Sequence, residues 1–145
     1  MIVKGEHIGS YGIIIEDDEI VLIKKANGGY VGKLDLPGGG IEHDETPSQT
    51  LKREIMEEAG LKVTNYSLFD VTSNNFTWQM TSSTKEDLHH IGVLYKVRAI
   101  GKIKNYPDGI DSLGAKRYKI NDLCKNDLTP FAIYSLEKLG YKLKK

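Results

Sequence analysis

The sequence predicts an α/β (α+β) fold in which a mixed sheet is packed between helices. Three observations lead there. Short runs rich in β-branched residues alternate with turn signals, two helix-forming stretches lie far apart along the chain, and each carries its own capping residues. With 145 residues and 39% hydrophobic content, residues 1–145 are read as a single domain, long enough to bury a real core.

The elements follow in order. Ile8 to Ile15 and Ile20 to Lys25 are apolar runs joined by Glu16-Asp17-Asp18-Glu19, the pattern of a hairpin. Ala26 to Gly32 is a glycine-containing loop, and Leu34-Asp35-Leu36 runs into Pro37-Gly38-Gly39-Gly40, read as a break. Thr46 is a natural N-cap, Pro47 suits the first helical position, Gln49 completes a capping box, and Gly60 supplies the left-handed residue that ends the helix. A helix over Pro47 to Ala59 follows. Leu61 to Thr72 reads as strand and Ser73-Asn74-Asn75 as a polar loop. In Leu88 to Ala99, His89, Ile91, Val93, Tyr95 and Val97 share one side, which marks a central strand. Tyr106 to Gly114 is turn-rich, with a short extended piece near Arg117-Tyr118. A last helix runs from Pro130 to Leu139, with Thr129 as N-cap and Gly140 past its end.

Composition removes several classes of function. Twenty Lys and Arg balance twenty Asp and Glu, which argues against a whole-protein grip on DNA, RNA or an anionic membrane. No apolar run approaches the roughly 18 residues of a membrane span, and the first residues lack a signal-peptide apolar region. Cys124 is the one cysteine, so neither a disulfide framework nor a multi-cysteine zinc site is expected. The expectation is a cytoplasmic protein, monomer or homodimer, whose partner is a small molecule.

The charge is balanced only in sum. Residues 35 to 58 hold seven acids against two bases, while twelve bases and five acids lie from Lys96 onward. On the first helix Leu51, Ile55 and Ala59 form an apolar stripe, and Glu54, Glu57 and Glu58 lie in an arc beside it, at the rim of the core. Carboxylates at this spacing repel. At roughly 6 Å and an effective dielectric near 20 each pair costs on the order of 3 kcal/mol. Oxygen ligands of this kind suit a hard cation, Mg²⁺ or Mn²⁺, and the glycines admit close backbone approach to the ion and to phosphate.

Gly39, Glu45, Arg53-Glu54-Ile55, Glu57-Glu58 and Gly60-Leu61 fill nine defined positions over 23 residues, and this segment resembles the Nudix box. The preceding Leu36-Pro37-Gly38 looks like the usual entry to that box; Asp44 stands where many members have glycine. The resemblance implies a Nudix-type α/β/α sandwich with a mixed β-sheet and Mg²⁺-dependent cleavage of a nucleoside diphosphate linked to another moiety. It implies Glu57 and Glu58 as main metal ligands, helped by the Gly38 carbonyl, Glu54 as ligand or base, and Arg53 orienting a catalytic glutamate. Glu45 would support the loop and a further metal. Asp111 is the candidate carboxylate from outside the box, with Glu86 and Asp87 behind it.

Around that site, Gly39, Gly40 and Lys24 (with Lys25 beside it) are expected near substrate phosphates, and Phe131 and Tyr134 near a nucleobase. Phe76 and Trp78 are read as core or as a stacking surface, and His89 and His90 as neighbours on opposite faces of a strand. Substrate signatures of dimeric ADP-ribose hydrolases and of dinucleoside polyphosphate hydrolases are absent or altered. The expected substrate is a nucleoside triphosphate, oxidised or intact, cut to monophosphate plus pyrophosphate. Alternatives are ADP-ribose, a nucleotide sugar, a dinucleoside polyphosphate, or a nucleotide-sensing module without catalysis.

Overall fold

The computed structural model describes residues 1–145. Two four-stranded sheets carry the fold. The first is mixed, with β1 (Ile2–Ile13), β5 (Gly38–Gly40), β6 (Lys62–Gln79) and β7 (Lys85–Ile100) in the order β5-β1-β7-β6. Its β1 and β7 run parallel; the other pairs are antiparallel. The second sheet is antiparallel, with β3 (Glu19–Lys25) between β2 (Ile15–Glu16), β4 (Leu34–Asp35) and β8 (Ser112–Lys119). Helix α1 (Pro47–Ala59) and helix α2 (Pro130–Lys138) lie on opposite sides.

Strand alternation builds those sides. Ile20 and Leu22 of β3 and Leu94 of β7 join Phe131 and Leu136 of α2 in one core; Val21, Ile23, Tyr95 and Val97 join Leu51, Ile55 and Ala59 of α1 in the other. Successive strand residues point to opposite faces, so one strand feeds both cores. The result is an α/β/α sandwich. No helix is long and apolar enough to cross a membrane.

Three strand readings are corrected. The acidic turn is a hairpin, with Asp17 and Asp18 both at left-handed φ (50° and 67°), but only Ile14 to Glu16 bond back to β3. The rest of the first apolar run belongs to the other sheet, where Ile2 to Ile13 pair with Lys85 to Lys96. Alternation sets the face a residue lies on; it does not say which strand lies beside it. The triple glycine is a strand and no break: Gly38, Gly39 and Gly40 pair with Tyr11, Ser10 and Gly9. Ser73-Asn74-Asn75 is no loop either, because β6 continues through it opposite Ile91, His90 and His89. The ladder supplies the backbone bonds there, and local polarity is overridden.

Candidate active site

Helix α1 begins and ends where its own residues dictate. The Thr46 side chain accepts from the Gln49 N–H, the Gln49 side chain accepts in return from the Thr46 N–H, and Gly60 closes the helix at φ 71°. This aims α1 across the glycine strand. A Cβ on Gly39 would stand 2.7 Å from the Glu54 carboxyl carbon, and one on Gly38 would stand 2.1 Å from the Ser10 carbonyl oxygen. Glycine at both places lets backbone and carboxylate meet. One helical turn on, Glu58 accepts from the Gly38 N–H at 2.7 Å.

Arg53 ties the remaining acids together. Its Nε and Nη2 donate to Glu45 at 2.7 and 2.9 Å, its Nη1 donates to Glu54 at 2.8 Å, and Glu57 lies 3.3 Å away. This fork holds Glu45 at a pKa of about 2. Burial raises Glu54 against the pull of Arg53, and burial raises Glu58 further. Glu58 is 1% exposed, and its Oε2 has no hydrogen-bond partner. A buried carboxylate oxygen without a partner is costly unless a cation meets it.

The donor set therefore fits a hard divalent ion: Glu58, Glu54, half-exposed Glu57 and the Gly38 carbonyl are all oxygen donors. No three acidic, histidine or cysteine side chains gather into a metal-binding group by themselves. Mg²⁺ ordinarily keeps several waters and takes phosphate oxygens, so an all-protein cage is not required.

Beside these acids lies a cavity of about 350 Å³. Residues from one face of the first sheet floor it: His7 and Tyr11 from β1, Glu86 and His90 from β7, Trp78 from β6. Because β6 runs on past Asn75, it carries Phe76 and Trp78 to this wall. Tyr30, from the loop after β3, stacks on Phe76 at 4.8 Å, and Trp78 Nε1 donates to Glu86 at 2.9 Å. Tyr11 and His90 share a 2.7 Å bond in the floor, where burial lowers His90 to about 3. Lys25 enters from the second sheet and pairs with Asp111 at 2.5 Å. Burial pulls its pKa down, but Asp35 and Asp111 outweigh that and leave it raised.

The structure brings Gly38, Gly39, Glu45, Arg53, Glu54, Glu57 and Glu58 together, with Gly40 against the His7 ring. Asp111 reaches the same cleft, where its charge adds to burial in raising both Glu54 and Glu58. Other expectations are corrected. Lys24 is exposed and Lys25 is the lysine that enters, since adjacent strand residues face opposite ways. Phe131 is 3% exposed and packs behind His90 at 4.5 Å, in the core. The Tyr134 hydroxyl is spent on Asp70, beside Lys138. Asp87 and His89 lie in a groove on the other face, while Glu86 and His90 line the cavity. Sequence singles out neither His7 nor Tyr30, and marks Asp35 only as one of the seven acids; the glycines at 28, 29 and 32 flanking Tyr30 are its one local signal.

An α/β/α sandwich with a glycine strand, a capped helix and a carboxylate cleft between them defines a class of phosphate-handling domain. The family model described as NUDIX domain matches residues 6–139, and the chain belongs to the Nudix family. Over 62 residues it is 39% identical to the 8-oxo-dGTP diphosphatase of Escherichia coli (strain K12), covering 42% of this chain and 48% of that protein. Over 63 residues it is 44% identical to the ADP-ribose pyrophosphatase of Methanocaldococcus jannaschii, covering 43% and 37%. These alignments span less than half of either relative. The MutT NUDIX hydrolase from Burkholderia pseudomallei shares the fold with a TM-score of 0.74 at 24% identity, over 92% of this chain and 98% of that one.

Proposed function

We propose that the chain acts as a single domain, a Mg²⁺-dependent pyrophosphohydrolase that cuts a nucleoside triphosphate, oxidised or intact, to monophosphate and pyrophosphate. The observation that carries this reading is the buried, unpartnered Glu58 Oε2 beside the Gly38 backbone and the Arg53-tied glutamates. Glu57, Glu58 and the Gly38 carbonyl would hold the ion, with Glu54 as a further ligand or as the base that orients water. The ion, when bound, neutralises charge on the phosphate oxygens and lowers the pKa of bound water.

The chain's own residues supply the rest. Arg53 fixes the direction of Glu54 through a 2.8 Å bond and is itself fixed by two bonds to Glu45. Glu45 acts through Arg53, to which it is paired by two bonds. Lys25, which lines the cavity, and the backbone at Gly39 and Gly40 would meet the phosphates, and the cavity walled by Tyr30 and Trp78 would take the nucleoside.

A second reading, an ADP-ribose hydrolase, is favoured by the identity to the Methanocaldococcus jannaschii protein. One experiment separates them. Purified protein is incubated with nucleoside triphosphates, oxidised guanine nucleotides, ADP-ribose, nucleotide sugars and dinucleoside polyphosphates, with Mg²⁺ or with chelator, and products are resolved by chromatography. Mg²⁺-dependent release of monophosphate plus pyrophosphate supports the first reading; AMP plus ribose phosphate supports the second. No turnover of any compound removes both.

A further inference from the structure

Three buried side-chain polar atoms have no hydrogen-bond partner: Ser10 Oγ, Glu58 Oε2 and Ser135 Oγ. Ser135 lies on α2. The other two fall on one small patch. Ser10 of β1 is directly paired with Gly39 of β5, and Tyr11 with Gly38. Opposed residues of an antiparallel pair project from the same face, with Cβ positions about 5 Å apart. A Cβ on Gly39 would be 2.7 Å from the Glu54 carboxyl carbon, so the Ser10 side chain shares a face with Glu54. Glu58 follows one turn later on α1 and is bound to the Gly38 N–H, and Gly38 itself abuts the Ser10 carbonyl. Ser10 thus lies on the α1 face, next to the two glycines that Glu54 and Glu58 meet.

Serine is an expensive choice there. The residue is fully buried, its neighbours on the α1 face of the chain are Gly12 under Ile55 and then Ile14, and alanine would fill the same space. A hydroxyl buried without a partner gives up its bonds to water and gains none in return. The same patch holds an acceptor with no donor, Glu58 Oε2, and a donor with no acceptor, Ser10 Oγ.

We propose that Ser10 is a positioning residue for the metal-holding carboxylates: its hydroxyl donates to the Glu54–Glu58 pair, with Glu58 Oε2 as acceptor, when the ion is bound. The inference rests on the metal reading above. Hydrogen bonds from behind fix the direction of ligating carboxylates and raise affinity for the ion. Ser10 is fully buried and acts only through the carboxylates it holds.

The test compares wild type, S10A and S10C by Mg²⁺ titration calorimetry and by thermal melts in chelator and in Mg²⁺. In chelator S10A melts at or above the wild-type temperature, since it loses only an unpartnered hydroxyl. Its Mg²⁺ affinity falls about 10-fold or more, and its Mg²⁺-induced rise in Tm shrinks; S10C, with a weak S–H donor, lies between. In turnover, kcat at subsaturating Mg²⁺ falls while KM for nucleotide holds. Unaltered Mg²⁺ affinity in S10A, with a normal wild-type response, overturns the role of Ser10 alone. A wild type that does not bind Mg²⁺ overturns the metal reading and this inference with it.

Discussion

Glu58 shows how one side chain can oppose folding and serve function. It is buried on the core side of α1, and burial raises its carboxyl well above the ordinary range, with Glu54 adding like charge against the help of the Gly38 N–H. The E58Q variant keeps an acceptor for that N–H and removes the charge. In chelator at neutral pH, E58Q should be at least as stable as wild type, by up to about 3 kcal/mol. In Mg²⁺ it should lose the ion-induced stabilisation and several powers of ten in rate. Chelator and Mg²⁺ melts with parallel assays check both arms, and an E58Q that is weaker in chelator means the carboxylate is satisfied within the fold. At this scale the acids of the site were legible, because helical spacing alone puts Glu54, Glu57 and Glu58 on one arc. Their unequal burial was not, since it depends on β5 lying beneath Glu58 and solvent beside Glu57.

Helix α1 and strand β5 work as one device, and their glycines separate position from stability. Gly39 has an ordinary φ, so alanine there brings little backbone strain; its methyl would meet the Glu54 carboxyl group. G39A should therefore hold its fold within about 1 kcal/mol while losing on the order of 100-fold in kcat, because displacement by an ångström suffices for that. Gly60 is the opposite case. At φ 71° and with a Cβ that would stand 3.0 Å from Lys104 Cβ, G60A should cost about 1–3 kcal/mol of stability and leave kcat near wild type below its lowered Tm. Denaturant melts and kinetics on both variants test the contrast; equal losses in both quantities for G39A would argue that β5 is a scaffold only. The capped helix was fully readable, as Thr46, Pro47, Gln49 and Gly60 act through bonds within a few residues. The strand identity of Gly38–Gly40 was hidden, because three glycines carry no β preference and their partner, β1, lies about thirty residues earlier.

Across the whole molecule, histidines in the cavity floor link stability to acidity. The unfolded chain protonates His90 near the ordinary 6.5; the folded protein holds it neutral down to about 3, chiefly through burial, with His7 and Lys25 adding positive charge. Between those values the unfolded state binds the extra proton, so this contribution is complete above pH 6.5 and is lost as pH falls. In chelator, wild type should lose up to about 2 kcal/mol from this group between about pH 6.5 and about pH 5. H90Q, which keeps a polar partner for the Tyr11 hydroxyl, should flatten that limb in denaturant melts; an identical slope would mean the imidazole opens to solvent on protonation. Local chemistry was enough to read the two capped helices, the acidic hairpin turn, the apolar stripe of α1 and the nine-position motif with its row of acids. Tertiary structure alone decided which strands lie side by side, that Lys25 and not Lys24 enters the cleft, that Phe131 is core, and that Tyr30, Phe76 and Trp78 form a wall. Those outcomes come from pairing between residues tens of positions apart, where a shift by one residue reverses every face and no local preference is strong enough to choose.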